Sequence, residues 1–90
     1  MTFTYPAVVT PLAQGYHVAV PDLEGCEADG ADLEDALEAA RDAATDWVQI
    51  EMTEFEGDLP FPTHPDDFSL TEGQFIRMLL LTIRLLPDND

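Results

Sequence analysis

At 90 residues the chain forms one domain, since a second would leave neither half enough apolar surface to bury. Nineteen acidic residues stand against three arginines and no lysine, a formal net charge of -16 that excludes direct nucleic-acid binding and makes a basic protein the natural partner, while equally serving plain solubility. Cys26 is the single cysteine, so no internal disulfide forms, and with no basic N-terminal region and no apolar run longer than Met78–Leu81 a reducing, cytoplasmic setting is expected.

Residues 3–10, FTYPAVVT, and 16–20, YHVAV, are rich in β-branched and aromatic side chains and read as two strands of an antiparallel hairpin closed by PLAQG. Pro6 cannot donate to a ladder, which places it near an edge or an irregularity. Pro21 ends the second strand, and Asp22 with Gly25 predicts a turn into a short third strand over 26–29, closed by Gly30. Asp32 then suits a helix N-cap, with Glu34 and Asp35 in the first turn where the helix dipole favours carboxylates.

Leu33, Ala36, Leu37, Ala40, Ala43, Ala44, Trp47, Val48, Met52 and Phe55 follow the spacing of an amphipathic helix running from about 33 to 54, stopped by Gly57. The opposite face carries Glu34, Asp35, Glu38, Asp42, Asp46 and Glu51, with Arg41 as its only cation. Like charges at this spacing repel and cost helix stability, so this face competes for a functional reading. The proline-rich EGDLPFPTHPDDF must be an extended surface connection. The last apolar run, QFIRMLLLTIRLL, admits a helix capped by Ser69 and Glu72 or a buried strand. The strand is preferred, because Gly73 would interrupt the first helical turn and the sheet needs a further strand to cover the helix stripe. The order β-β-β-α-β gives an α+β fold with one long helix on one face of a small, mostly antiparallel sheet, with residues 1–90 as a single domain.

No constellation of catalytic groups emerges. Cys26 with His17 lacks a third orienting group, and Cys26, His17 and His64 are too few for a zinc site. Trp47 continues the apolar stripe and reads as core. Pro21, Asp22, Leu23, Gly25 and Cys26 read as a turn with a buried leucine and a small buried thiol. No metal, cofactor or enzymatic activity is expected.

The stretch YPAVVTPLAQGYHVAVPDLEGCEADGADLEDALEAARDAATDW resembles the HicB-like antitoxins. That family has a YPA-type first strand, a Gly-aromatic hairpin, Pro-Asp-Leu-x-Gly-Cys, a polar strand ended by a glycine, and an acidic helix. The match continues through the proline-rich linker and the last strand. The resemblance implies a partial ribonuclease H-like fold and the role of antitoxin in a toxin-antitoxin pair. The partner it implies is HicA, a small basic protein with a double-stranded-RNA-binding fold and a catalytic histidine that cleaves messenger RNA. Nucleases of the ribonuclease H type hold divalent metals with carboxylates beginning on the first strand, and FTYPAVVT offers none; Asp22, Glu24 and Glu27 cluster only at the second turn. Longer family members carry a C-terminal helix-turn-helix or ribbon-helix-helix module that binds operator DNA. This chain ends four residues after Leu86, so no such module and no direct DNA binding are expected.

Two functions follow. In the first, the protein neutralises a basic HicA-type toxin, with Glu34, Asp35, Glu38 and Asp42 recruiting it in place of RNA phosphate. In the second, it is an acidic nucleic-acid mimic that inhibits another DNA- or RNA-binding protein. A small basic product of the adjacent reading frame would favour the first. A homo-oligomer, most simply a dimer, is expected from the small core and the exposed strand edges.

Overall fold

The computed structural model describes residues 1–55 and 57–83. Four strands form one antiparallel sheet: β1 (Thr2–Leu12), β2 (Gly15–Ala19), β3 (Glu27–Gly30) and β4 (Phe75–Thr82), in the spatial order β3-β2-β1-β4. One helix, α1 (Leu33–Glu54), lies across one face of the sheet, and a short 3₁₀ turn spans Pro65–Asp67 in the connection to β4. The α+β architecture and the β-β-β-α-β order are as expected. Among the described residues no helix is long and apolar enough to cross a membrane.

Alternation along the strands decides which face is buried. Tyr5, Ala7 and Val9 of β1, Val18 of β2, and Leu79 and Leu81 of β4 all point toward α1 and are almost wholly inaccessible. Against them α1 sets Ala36, Ala40, Ala44 and Val48, one residue per turn, all fully buried. Small alanines let the helix approach the sheet closely, and Leu33, Leu37 and Ala43 flank this seam as half-buried residues. Asp32 caps the helix: its carboxylate accepts the Asp35 backbone N–H at 2.8 Å.

The hairpin is tighter than its sequence suggests. Leu12 pairs with Gly15, so Ala13 and Gln14 alone form the loop and Gly15, at φ 116°, belongs to the second strand. Pro6 resolves neatly, because β1 is internal in strand order yet pairs with β2 only over Val8–Leu12. Pro6 therefore has β4 on one side and no strand on the other, and its missing N–H leaves no ladder bond unmade. The last run is a strand, as preferred, over Phe75–Thr82; its Arg84 to Leu86 portion lies outside the described residues.

α1 ends at Glu54, as expected, and Phe55 rather than Gly57 closes it, donating its N–H to the Glu51 carbonyl at 3.2 Å. Three expectations are corrected. Phe55 does not join the core, being 67% exposed, because the stripe has by then run past the sheet. Glu51 is not on the acidic face: at about 100° per residue it falls in line with Ala44 and Val48, and it is half-buried. Trp47, too, is half-buried, packed on the edge of the core with its indole N–H donated to the Glu24 carbonyl at 3.0 Å. Trp47→Ala is therefore expected to cost about 2 kcal/mol, below the ~3–5 kcal/mol of a wholly buried aromatic. Urea melts would check this, and a loss above about 4 kcal/mol would place the ring deeper than the fold does.

Candidate partner interface

The region from Pro21 to Cys26 is built by two successive turns. Leu23 N–H donates to the Val20 carbonyl at 3.0 Å and Cys26 N–H to the Leu23 carbonyl at 2.9 Å, while Val20 N–H closes the whole loop on the Cys26 carbonyl at 2.9 Å. Gly25 at φ 79° takes the left-handed position that the second turn requires. Leu23 is driven fully into the core and Cys26 follows it. Pro21 stays exposed at the turn's entry.

Asp22 does more than shape a turn. Its carboxylate accepts the Thr63 backbone N–H at 2.8 Å and the Thr63 hydroxyl as well, pinning the proline-rich connection to the loop across the molecule. Tyr5 fastens the same connection by donating its hydroxyl to the Pro60 carbonyl at 2.7 Å. Burial, and then the nearby Asp22 charge, raise the Tyr5 phenol above its ordinary pKa, so it stays a donor. The loop, the connection and Trp47 thus form one clasp. Nothing in the sequence singles out Thr63 or Pro60 as its other half.

Chemistry at Cys26 is unfavourable. Burial, reinforced by the Glu27 charge, pushes its thiol up from the ordinary value, which removes thiolate rather than supplying it. His17 is on the other face of the sheet, where its two ring nitrogens meet Glu27, at 3.2 Å, and Asp29. His64 caps the 3₁₀ turn, Nδ1 accepting the Asp66 N–H at 3.1 Å. Among the described residues no three His, Cys, Asp or Glu side chains are grouped to hold a metal ion.

What α1 presents outward is a surface of one sign. Glu34, Asp35, Glu38 and Asp42 are all exposed and, at about 100° per residue, fall within an arc of about 100°, opposite the alanine seam. Ion pairs among the described residues involve His17 and His64 alone, so none of these four acids is neutralised by a cation. The structure brings them together on the first three turns of a helix held rigidly by its other side. Pro21 to Cys26, Gly30 and Trp47 lie apart from this face and support the fold. Where α1 overruns the sheet, Trp47, Ile50, Glu51 and Phe55 line an open, mostly apolar recess of about 230 Å³. The sequence reading assigned two of these residues to the core and passed over Ile50.

The chain belongs to the HicB-like antitoxin family: the family model described as "HicB_like antitoxin of bacterial toxin-antitoxin system" matches residues 5–83. Comparison with curated protein sequences finds no match. Among solved structures, a chain of the "Toxin-Antitoxin complex from Streptococcus pneumoniae" superposes with a TM-score of 0.81 at 22% identity, over 91% of this chain and 70% of that one. The N-terminal domain of the Burkholderia pseudomallei antitoxin HicB gives 0.66 at 22% identity, over 92% of this chain and 100% of that one. A chain of the "HicA3 and HicB3 toxin-antitoxin complex" gives 0.62 at 25% identity, over 92% and 100%. The first two likenesses carry the fold alone.

Proposed function

We propose that this member of the HicB-like antitoxin family binds and neutralises a small basic HicA-type toxin, acting by occlusion and not by chemistry of its own. The observation that carries the reading is the cluster of Glu34, Asp35, Glu38 and Asp42, exposed and unpaired by any cation among the described residues, on a helix that the sheet holds in place. A rigid row of carboxylates on one helix face offers a cationic RNA-binding surface the same charge as a phosphate backbone, at no ordering cost. The solved pair of HicA3 with HicB3 supports a toxin as the partner. The reading is tested by co-expressing the chain with the product of its adjacent reading frame: restored growth and a co-purifying complex are expected. A neighbour that is neither basic nor toxic would overturn it in favour of the nucleic-acid mimic.

The protein alone should neither cleave RNA with added magnesium or manganese nor retard duplex DNA at physiological salt. Cleavage of this type needs convergent carboxylates on a rigid sheet, whereas retardation needs several cations facing phosphate. The described cations, Arg41 and Arg77, sit on separate elements, and Arg77 stacks over the Phe75 ring with 4.7 Å to its centroid. Gel electrophoresis of labelled RNA and DNA checks both; a specific shift or metal-dependent cleavage would contradict the proposal.

A further inference from the structure

α1 runs past the sheet that supports it, so its last turns carry side chains that no strand covers. Ile50 is 47% and Phe55 67% exposed, and with the half-buried Trp47 and Glu51 they line the open recess of about 230 Å³. Large apolar side chains left together on the surface of a chain of formal net charge -16 mark a contact. Pockets for small molecules ordinarily enclose about 300–1,000 Å³, so this one suits a single long side chain.

The lining offers acceptors and no donor. Ile50 and Phe55 have no polar side-chain atom, and the Trp47 indole N–H is already given to the Glu24 carbonyl at 3.0 Å. The Phe55 backbone N–H is likewise given to the Glu51 carbonyl. What is left is the Glu51 carboxylate, which only accepts, and the rings of Trp47 and Phe55, whose faces are electron-rich. Among the described residues no ion pair engages Glu51. A phosphate or carboxylate would find no donor here, and a wholly apolar ligand would desolvate Glu51 without pairing it. A cation that brings only donors suits every group at once. Arginine fits better than lysine, because its guanidinium is planar, weakly hydrated, stacks on rings and forks onto a carboxylate. The chain makes one such stack itself, with Arg77 over Phe75.

We infer that the recess at the end of α1 takes one arginine side chain of the partner protein, its stem against Ile50 and Phe55 and its guanidinium on Glu51 beside the Trp47 ring. This rests on the basic partner of the proposed function and adds the point at which that partner is anchored. The division of labour is physical. Glu34, Asp35, Glu38 and Asp42 are exposed and act on the encounter, whereas an arginine desolvated against two rings and a carboxylate slows dissociation.

Trp47 is the only tryptophan of the chain, so its emission reports on the recess directly. N-acetylarginine amide should change that emission saturably, with its half-effect at about 1–10 mM. N-acetylcitrulline amide, of the same shape without the charge, should need about 10-fold more. Glu51→Gln should weaken the arginine response about 10-fold. In the complex with the basic product of the adjacent reading frame it should speed dissociation about 10-fold, with the association rate kept within about 2-fold. The titration of the unsubstituted protein decides the matter even if the variant fails to fold. An equal response to N-acetylleucine amide, or none to the arginine amide at about 100 mM, would overturn the inference. So would Trp47 emission that shifts with protein concentration alone, which gives the recess to a second copy. A nuclear Overhauser contact from Phe55 to residues 84–90 would overturn it too, giving the recess to the chain's own end. A saturable arginine response in a protein that forms no complex with the basic product would support the recess and overturn the proposed function instead.

Discussion

Gly30→Ala is expected to destabilise the protein by about 3 kcal/mol, the upper part of the range for overpacking a well-filled site. A Cβ built on Gly30 would stand 2.3 Å from the Ala36 backbone nitrogen and 2.6 Å from its Cα, far inside contact distance. The obstructing atoms are helix backbone, so no rotamer change relieves them. α1 must lift from β3, and the alanine seam above Val18 and Ala28 opens with it. Gly30 also faces Gly15 across the β2–β3 edge, where a Cβ on Gly15 would meet the Gly30 carbonyl oxygen at 2.3 Å. For a domain of this size each kcal/mol shifts the melting temperature by roughly 4–8 °C, so a fall of about 12–24 °C should be seen by circular dichroism. A change of less than about 3 °C would mean that the helix start can slide over β3 at little cost, contrary to its tight approach.

Gly30 also shows where sequence reasoning stops. Its position at the end of a short strand was legible, because Asp29-Gly30 precedes an N-cap aspartate and an acidic first turn. Its reason for being glycine was not, since that depends on how closely the first turn of α1 settles on β3. The helix itself was readable to the residue, over Leu33–Glu54, because alanines and Val48 at helical spacing form a strong periodic signal. The same periodicity misplaced Phe55 and Glu51. A helical wheel does not know where the sheet beneath it ends, and past Met52 there is too little left to bury against.

The clasp was invisible for a related reason. Asp22 and Thr63 are 41 positions apart, and neither carries a local pattern that points to the other. PDLEGC reads as a turn, and it is one, yet its carboxylate serves to hold a proline-rich segment that would otherwise trail over the surface. The outward apolar row of β4 was present in the sequence as the alternation partners of Leu79 and Leu81. A run of nearly continuous hydrophobic residues conceals it, since such a run suits a strand buried on both faces equally well. Only the placement of α1 on one side shows that Met78 and Leu80 are left uncovered. The acidic face is the converse case: its exposure follows directly from the pattern, because Glu34, Asp35, Glu38 and Asp42 fall opposite the alanines whatever the tertiary structure.

If the proposed partner is met through this face, replacing Glu34, Glu38 and Asp42 together by lysine is expected to slow association with that basic toxin by about 10-fold or more at low salt, within the range attributed to electrostatic steering. Each replacement exchanges one negative for one positive charge, so the formal net charge moves from -16 to -10, and the change is concentrated on one face. The three positions follow one another at a spacing of four on the exposed side of α1, away from Ala36, Ala40 and Ala44, so no core contact is lost. Lysine in the first turn opposes the helix dipole by about 0.3–1 kcal/mol, and relief of the carboxylate repulsion offsets part of that. Asp35 is kept to hold a negative charge at the helix start. Steering charges act mainly on the encounter rate, so the variant's association should also vary less steeply with salt, while dissociation changes less. At 0.15 M salt the Debye length of about 8 Å leaves close contacts effective, and a part of the loss should persist. Glutamine at the same three positions should give an intermediate rate, which separates loss of attraction from introduced repulsion. Stopped-flow measurements across a salt series, with growth rescue in co-expression, decide the matter. Unchanged rates, an unchanged salt slope and full rescue would show that this face only keeps the chain in solution, and that the toxin is held elsewhere.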